Sequence, residues 1–201
     1  MINTIIFDIG KVLADFCWEK AFHNLGFTGE TFEIIANATV RHQDWNEFDK
    51  GLVTTEEIIE IFASHAPGYR EQIAKIYDHP ENLIELYDYT IPWIREVKAR
   101  GYRVYVLSNW SNPMYHASRN NHLRFLDEVD GAVFSFQEHL IKPDPAIFQR
   151  ICERYNIKPE EAVFLDDNEK NVQSSRAFGL NTIHFKSYEQ AKAELENYLS
   201  V

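Results

Sequence analysis

Cysteine is scarce in this chain. Of 201 residues only Cys17 and Cys152 carry thiols, and they fall in neither a CxxC pair nor any other metal-type spacing. A multi-bridge disulfide framework and a cysteine-built zinc site are both excluded. Long apolar runs are missing too, since none approaches the roughly 20 residues that a helix needs to cross a bilayer. Positive charge is in deficit: 20 Lys and Arg against 31 Asp and Glu give a formal net charge of −11. A chain this acidic has no whole-molecule attraction to nucleic acid or to an anionic membrane, so an anionic ligand needs a local ammonium group or a metal ion. The eight histidines are scattered, without the i, i+4 pairing on a helix that marks a zinc hydrolase. Met1 leads straight into a strand pattern, with neither the basic segment nor the apolar stretch of a secretory signal, and the expected compartment is the cytoplasm. There is no internal repeat, low-complexity tract or long charge run.

What is present is a packed globular composition, with 45% hydrophobic and 14% aromatic residues. Short apolar runs alternate with helical patterns, which predicts an α/β fold built on a parallel sheet. The runs are Thr4–Phe7, Arg103–Leu107, Ala132–Phe134, Ala162–Leu165 and Thr182–Phe185. Thr90 reads as the cap of a helix with Pro92 in its first turn and Gly101 beyond its end. Asp144-Pro145 opens a second helix with Ile147, Ile151 and Tyr155 on one face, and a third runs from about Asn168 to Gly179. From about Asp15 to Tyr89 the alternation stops. That stretch reads as several helices without a strand, one of them starting at Thr54-Thr55-Glu56-Glu57 and another following Pro67-Gly68.

The chemistry-bearing residues sit where apolar runs end. Asp8 closes the first run and precedes Ile9-Gly10-Lys11-Val12, which places a carboxylate at the carboxyl edge of the sheet, where open α/β folds keep their ligands. The second run ends in Ser108-Asn109, a hydroxyl and an amide able either to donate to a phosphoryl oxygen or simply to cap a turn. Lys142 stands before Pro143 and the helix start at Asp144, where its ammonium can act as a point charge beside a phosphate. The fourth run ends in Asp166-Asp167-Asn168, and paired carboxylates there suit Mg²⁺ as well as a helix N-terminus.

In order and spacing, Asp8 with Gly10, Ser108-Asn109, Lys142-Pro143 and Asp166-Asp167 resemble the four motifs of the haloacid dehalogenase-like hydrolase superfamily. The Phe-Asp-Ile-Gly-Lys-Val opening, the Leu-Ser-Asn turn and the Phe-Leu-Asp-Asp-Asn segment are most similar to the group of α-D-glucose-1-phosphate phosphatase. The resemblance implies a Rossmann-like three-layer core at 1–14 and 90–201, with an inserted all-helical cap at 15–89. It also implies Mg²⁺-dependent hydrolysis of a small phosphorylated metabolite, a sugar phosphate above all, by a monomer or homodimer. Asp8 becomes the nucleophile and a metal ligand, with the Gly10 carbonyl and Asp167 as further ligands and Asp166 a ligand or its supporting partner. Ser108, Asn109 and Lys142 hold the phosphoryl group, and Trp110 contacts the substrate.

One position departs from the family pattern. Most of its phosphatases carry a second aspartate two residues after the nucleophile, as general acid and base; here Gly10 stands there. Lys11, Asp15 or a cap residue could supply the proton instead. The departure keeps two rival expectations open, a metal-independent haloacid dehalogenase and a non-catalytic phosphosugar- or partner-binding module. In the cap, Phe16, Trp18, His42, Trp45 and Asn46 are the candidate pocket residues, and Trp18 and Trp45 could equally belong to the cap's own core.

Overall fold

A computed structural model describes residues 1–199. In chain order the elements are β1 (Thr4–Phe7), β2 (Ala14–Phe16), α1 (Trp18–Asn24), α2 (Gly29–Ala38), α3 (Trp45–Asp49), α4 (Thr55–His65) and α5 (Arg70–Ile76). There follow β3 (Ile84–Leu86), α6 (Thr90–Ala99), β4 (Arg103–Ser108), α7 (Asn112–Ser118), β5 (Gly131–Phe134) and α8 (Ser135–Glu138). The chain continues through α9 (Pro145–Tyr155), β6 (Ala162–Asp166), α10 (Glu169–Phe178), β7 (Asn181–His184) and α11 (Tyr188–Leu199).

Every residue of β1 and β6 is buried, as expected of strands covered on both faces. They lie in a five-stranded parallel sheet of order β5-β4-β1-β6-β7. Alternation along β1 sends its side chains into different layers: Ile5 and Phe7 join one apolar cluster with Trp93, Ile94 and Val97 of α6 and Leu195 of α11, while Ile6 joins another with Ile147, Phe148 and Ile151 of α9. The result is the expected three-layer Rossmann-like α/β fold, in which all parallel strands end at one edge and deliver Asp8, Ser108 and Asp166 there. Phe22, Phe32, Phe48, Ile58 and Phe62, from α1 to α4, belong to the same cluster as Ile5 and Phe7, so the helical segment shares a continuous core with one face of the sheet.

Local sequence fixes several boundaries. Thr54 caps α4 with the reciprocal bonds of a capping box, Glu57 N to Thr54 Oγ1 at 3.2 Å and Thr54 N to Glu57 Oε2 at 2.8 Å. Asp144 Oδ1 accepts from Ala146 N at 2.9 Å and Asn168 Oδ1 from Lys170 N at 2.9 Å, while Gly179, at φ +110°, ends α10.

Two expectations are corrected. The stretch read as purely helical contains strands: β2 and β3 pair antiparallel, Ala14 with Leu86 and Phe16 with Ile84. Each has three residues, too few to display a period of two, and their pairing depends on contact between distant parts of the chain. Thr90 does not cap α6, whose cap position is Tyr89. Its buried hydroxyl donates instead to the carbonyl of Leu13, tying α6 to the segment after β1.

Candidate active site

Asp8 follows β1 directly, and its backbone N–H donates to Leu165 O at 2.9 Å. That bond continues the ladder with β6 and fixes the direction of the side chain. Asp8 Oδ1 accepts from Ile9 N at 2.7 Å and Ser108 Oγ at 2.8 Å, and pairs with Lys142 Nζ at 2.8 Å. Oδ2 has no partner among the described residues. Burial raises the Asp8 carboxyl to about 7; Lys142 pulls against this and the charges of Asp166 and Asp167 add to it.

Lys142 is the counterweight. Its buried Nζ reaches Asp8 Oδ1, Asp166 Oδ2 at 2.7 Å and the Leu107 carbonyl at 3.0 Å, which uses all three of its donors. Burial works to remove its proton, but the charges of Asp166 and Asp8 outweigh that and hold its pKa above the ordinary lysine value. Asn109 positions this lysine: its amide accepts from Lys142 N at 2.8 Å and donates to Lys142 O at 3.0 Å, a two-point clamp on the main chain. The side chain expected to grip a phosphoryl group therefore also carries a structural duty.

The two adjacent aspartates are not equivalent. Asp166 is fully buried with both oxygens engaged, Oδ1 by Asn168 N and Asn171 Nδ2, Oδ2 by Lys142 and Asn171 Nδ2. Asp167 lines the cavity, and among the described residues no side chain is hydrogen-bonded to its carboxylate; burial, then Asp166, raises its pKa, against Lys142, Lys11 and its own backbone N–H. Gly10 lines the same cavity with a carbonyl that accepts no hydrogen bond from any described residue. Carboxylate oxygens of Asp8, Asp166 and Asp167 lie within 4.8 Å of one another. An all-oxygen cluster of this kind fits a hard divalent cation.

The cavity, of about 220 Å³, is bounded by Asp8, Gly10, Lys11, Ser108, Asn109, Lys142, Asp167, Asn168 and Asn171 on the sheet side. Phe16, Trp45, Asp49, Ile84, Trp110 and Met114 complete it. Trp110 is buried, its N–H donates to Ser135 Oγ at 2.8 Å, and its indole Nε1 has no partner. Of the candidates from the helical segment, Phe16 and Trp45 reach the cavity, with ring centroids 5.8 Å apart. Trp18 does not; it packs on Phe22 and Phe32. Asn46 is exposed and away from the cavity. His42 stacks on His65 at 3.9 Å, and both approach Asp44 Oδ2, His65 Nε2 at 2.8 Å and His42 Nδ1 at 3.4 Å. One ligand atom each of His42, Asp44 and His65 lie within 4.8 Å of one another, a second cluster, on the helical segment and outside the cavity.

A family model of haloacid dehalogenase-like hydrolases matches residues 2–179. The chain belongs to that family. A relative, acyl-CoA dehydrogenase family member 10 of Mus musculus, is 30% identical over 98% of this hydrolase, which spans 19% of that longer protein. A sesquiterpene phosphatase of Aspergillus oryzae is 25% identical, covering 89% of this chain and 87% of its own. An (S)-2-haloacid dehalogenase of a Pseudomonas species is 29% identical over 90% of this chain and 83% of its own. Among solved structures, a family enzyme of Bacteroides thetaiotaomicron in complex with magnesium and inorganic phosphate superposes with a TM-score of 0.71 at 21% identity, over 95% of this chain and 99% of its own.

Three residues of the hydrolase site escape the sequence reading. Ser135 follows β5 as Asp8 follows β1, so the strand-end rule applied once more would have found it. Asn171 lies one turn into α10, with only its distance from Asp166 as a signal. Asp49, at the end of the five-residue helix α3, had no local signal at all. Its side chain is buried, accepts no hydrogen bond from a described residue and forms no ion pair with one. Burial, then the charge of Asp8, raises its carboxyl to about 8. Beside it the Tyr77 hydroxyl is buried without a partner, its pKa raised by burial and then by Asp49.

Proposed function

We propose that this hydrolase is a Mg²⁺-dependent phosphatase that cleaves a small phosphorylated metabolite, by preference a sugar phosphate, through an aspartyl-phosphate on Asp8. One observation carries the reading. The nucleophile candidate is held by Ser108 and Lys142 through Oδ1, carboxylate oxygens of Asp8, Asp166 and Asp167 lie within 4.8 Å of one another, and Gly10 lines the same cavity. Asp8, Gly10 and Asp167 would hold the cation, with Asp166 behind them fixing Lys142 and the turn into α10. Bound there, Mg²⁺ supplies positive charge to the phosphoryl oxygens, which four carboxylates in or beside the cavity would otherwise repel.

Asp8 Oδ2 attacks phosphorus in line, the ester oxygen departs, and water then cleaves the acyl phosphate. Ser108 Oγ and Lys142 Nζ remain on Oδ1 and orient the carboxylate throughout. The segment 15–89 acts as the cap over the core at 1–14 and 90–201. Phe16 and Trp45 offer it faces for stacking on a sugar ring, and Trp110 lines the same cavity beside Ser108-Asn109.

The dehalogenase reading is weaker on two counts. No arginine is among the described residues lining the cavity to receive a halide, and the Asp167 carboxylate, which lines the cavity beside Asp8 and Asp166, suits a cation that dehalogenation does not need. Hydrolysis of a phosphate-ester panel that includes glucose 1-phosphate and acetyl phosphate, with Mg²⁺ and with EDTA, tests the proposal. Metal-dependent turnover that disappears in Asp8→Asn is expected. Turnover in EDTA, or an active Asp8→Asn, would overturn it, and silence across the panel from a folded, Mg²⁺-loaded protein would leave a binding module in its place.

A further inference from the structure

We infer that Asp49 of α3 is the catalytic acid and base of this site, standing in for the carboxylate that Gly10 lacks. The inference deepens the phosphatase reading and rests on it. It starts from elimination within the cavity. Among the described residues lining it, the groups able to carry a proton are Asp8, Asp49, Asp167, Lys11 and Lys142. Asp8 attacks, Asp167 faces the cation, and Lys142 has all its donors engaged. Lys11 is exposed, and Asp15, in β2, does not line the cavity. Asp49 remains. It is a carboxyl 8% exposed that lines the cavity and makes no bond to any described residue. Unlike the Tyr77 hydroxyl, its oxygens are not shut off from accessible space, so they can exchange a proton with a group bound in the cavity.

The backbone around Asp49 is fixed to the catalytic core. Ser135 Oγ donates to Asp49 O at 2.6 Å and accepts from Trp110 N at 2.8 Å, so one hydroxyl joins the end of α3 to the residue after Ser108-Asn109. His139 Nδ1 lies 2.8 Å from Lys50 O. Gly51, at φ +68°, presses against Phe136 so closely that a Cβ would sit 2.7 Å from its carbonyl oxygen. Three consecutive residues of the helical segment are thereby docked on the stretch after β5, and the acid is placed by rigid contacts. Burial, then the charge of Asp8, raises its pKa and Lys142 opposes them, which favours the protonated form that an acid needs.

In the first step Asp8 Oδ2 forms a bond to phosphorus while the bond from phosphorus to the ester oxygen breaks. That electron pair goes to the ester oxygen, which takes the Asp49 proton and leaves as the alcohol. In the second step the Asp49 carboxylate takes a proton from water as the water oxygen bonds to phosphorus. The acyl-phosphate bond breaks toward Asp8, phosphate departs, and Asp49 is protonated again. Water is the sole co-reactant.

The test compares phenyl phosphate, whose leaving oxygen needs a proton, with p-nitrophenyl phosphate, whose leaving oxygen does not, in wild type, Asp49→Asn and Asp49→Glu with Mg²⁺. In Asp49→Asn, turnover of phenyl phosphate is expected to fall by about 10²–10⁴-fold. With p-nitrophenyl phosphate the same variant should give a rapid burst of nitrophenolate near one equivalent per site and then slow turnover, because step one survives while step two loses its base. Asp49→Glu keeps an acid and should recover part of the phenyl phosphate rate without a burst. Equal losses on both esters without a burst, or no loss, would overturn the role of Asp49 and leave the phosphatase reading standing. A wild type silent on both esters would overturn both.

Discussion

On the sheet side of the cavity Asp8, Lys142 and Asp166 satisfy one another, whereas on the side formed by α3 the Asp49 carboxyl has no hydrogen-bond partner among the described residues. Asp8, Lys142 and Asp166 form a closed chain of contacts at 2.7 to 2.8 Å, buttressed by Ser108, Asn109 and Asn171. Asp49 has an unpartnered Tyr77 hydroxyl beside it, and the repulsion of Asp8 outweighs the attraction of Lys142. A closed network holds a nucleophile and a cation in one geometry, and an isolated carboxyl is free to exchange its proton with a substrate. In the proposed reaction the two sides divide the work into holding and proton transfer.

Four changes break or sharpen that division, the largest effect first. Asp8→Asn removes the proposed nucleophile and should abolish metal-dependent turnover in the ester panel while leaving the circular dichroism spectrum unchanged. Lys142→Met strips the counterweight from two buried carboxylates, and its urea midpoint without metal should show a loss of about 3–5 kcal/mol. Saturating Mg²⁺ should return part of it, since the cation neutralises the same oxygens. If Lys142→Met were neutral, the sheet-side network would not be the closed unit described.

Gly10→Asp addresses the missing acid directly. Gly10 is not held by its backbone, since its φ is not positive and a Cβ there meets nothing within 4 Å. An aspartate should be accommodated, and in the double variant with Asp49→Asn it should restore roughly tenfold or more of the phenyl phosphate rate. No recovery in a correctly folded double variant would place the proton path elsewhere.

The smallest effect is on stability. The Asp49 carboxyl ionises near its ordinary value, 3.8, when unfolded and near 8 when folded, so between these limits the folded state binds more protons. The folded protein accordingly loses stability as pH rises through that window. Asp49→Asn, which cannot ionise, should melt a few degrees higher than wild type at pH 8, and the two should converge toward pH 4. A variant that melts lower than wild type at pH 8 would mean that the carboxyl has a stabilising partner.

The sheet side was legible in the sequence. Continuous apolar runs at Thr4–Phe7 and Ala162–Leu165 predict buried parallel strands, and the strand ends then place Asp8, Ser108 and Asp166 at one edge. Helix caps at Thr54, Asp144 and Asn168 were legible for the same reason, since each depends on residues within one turn. The other side was not. Trp18 and Trp45 look alike in sequence, yet one packs on Phe22 and Phe32 and the other lines the cavity. The strands β2 and β3 are too short for a period to show.

The sequence by itself determined the sheet, its edge and the chemistry collected there, because periodicity and strand ends are local and a parallel sheet aligns them. Only the tertiary structure decided that Asp166 is enclosed while Asp167 faces the cavity, and that Asp49 joins them. Those outcomes depend on long-range contacts, such as the hydroxyl of Ser135 on the carbonyl of Asp49 across 86 positions, and no local pattern encodes which surfaces will meet.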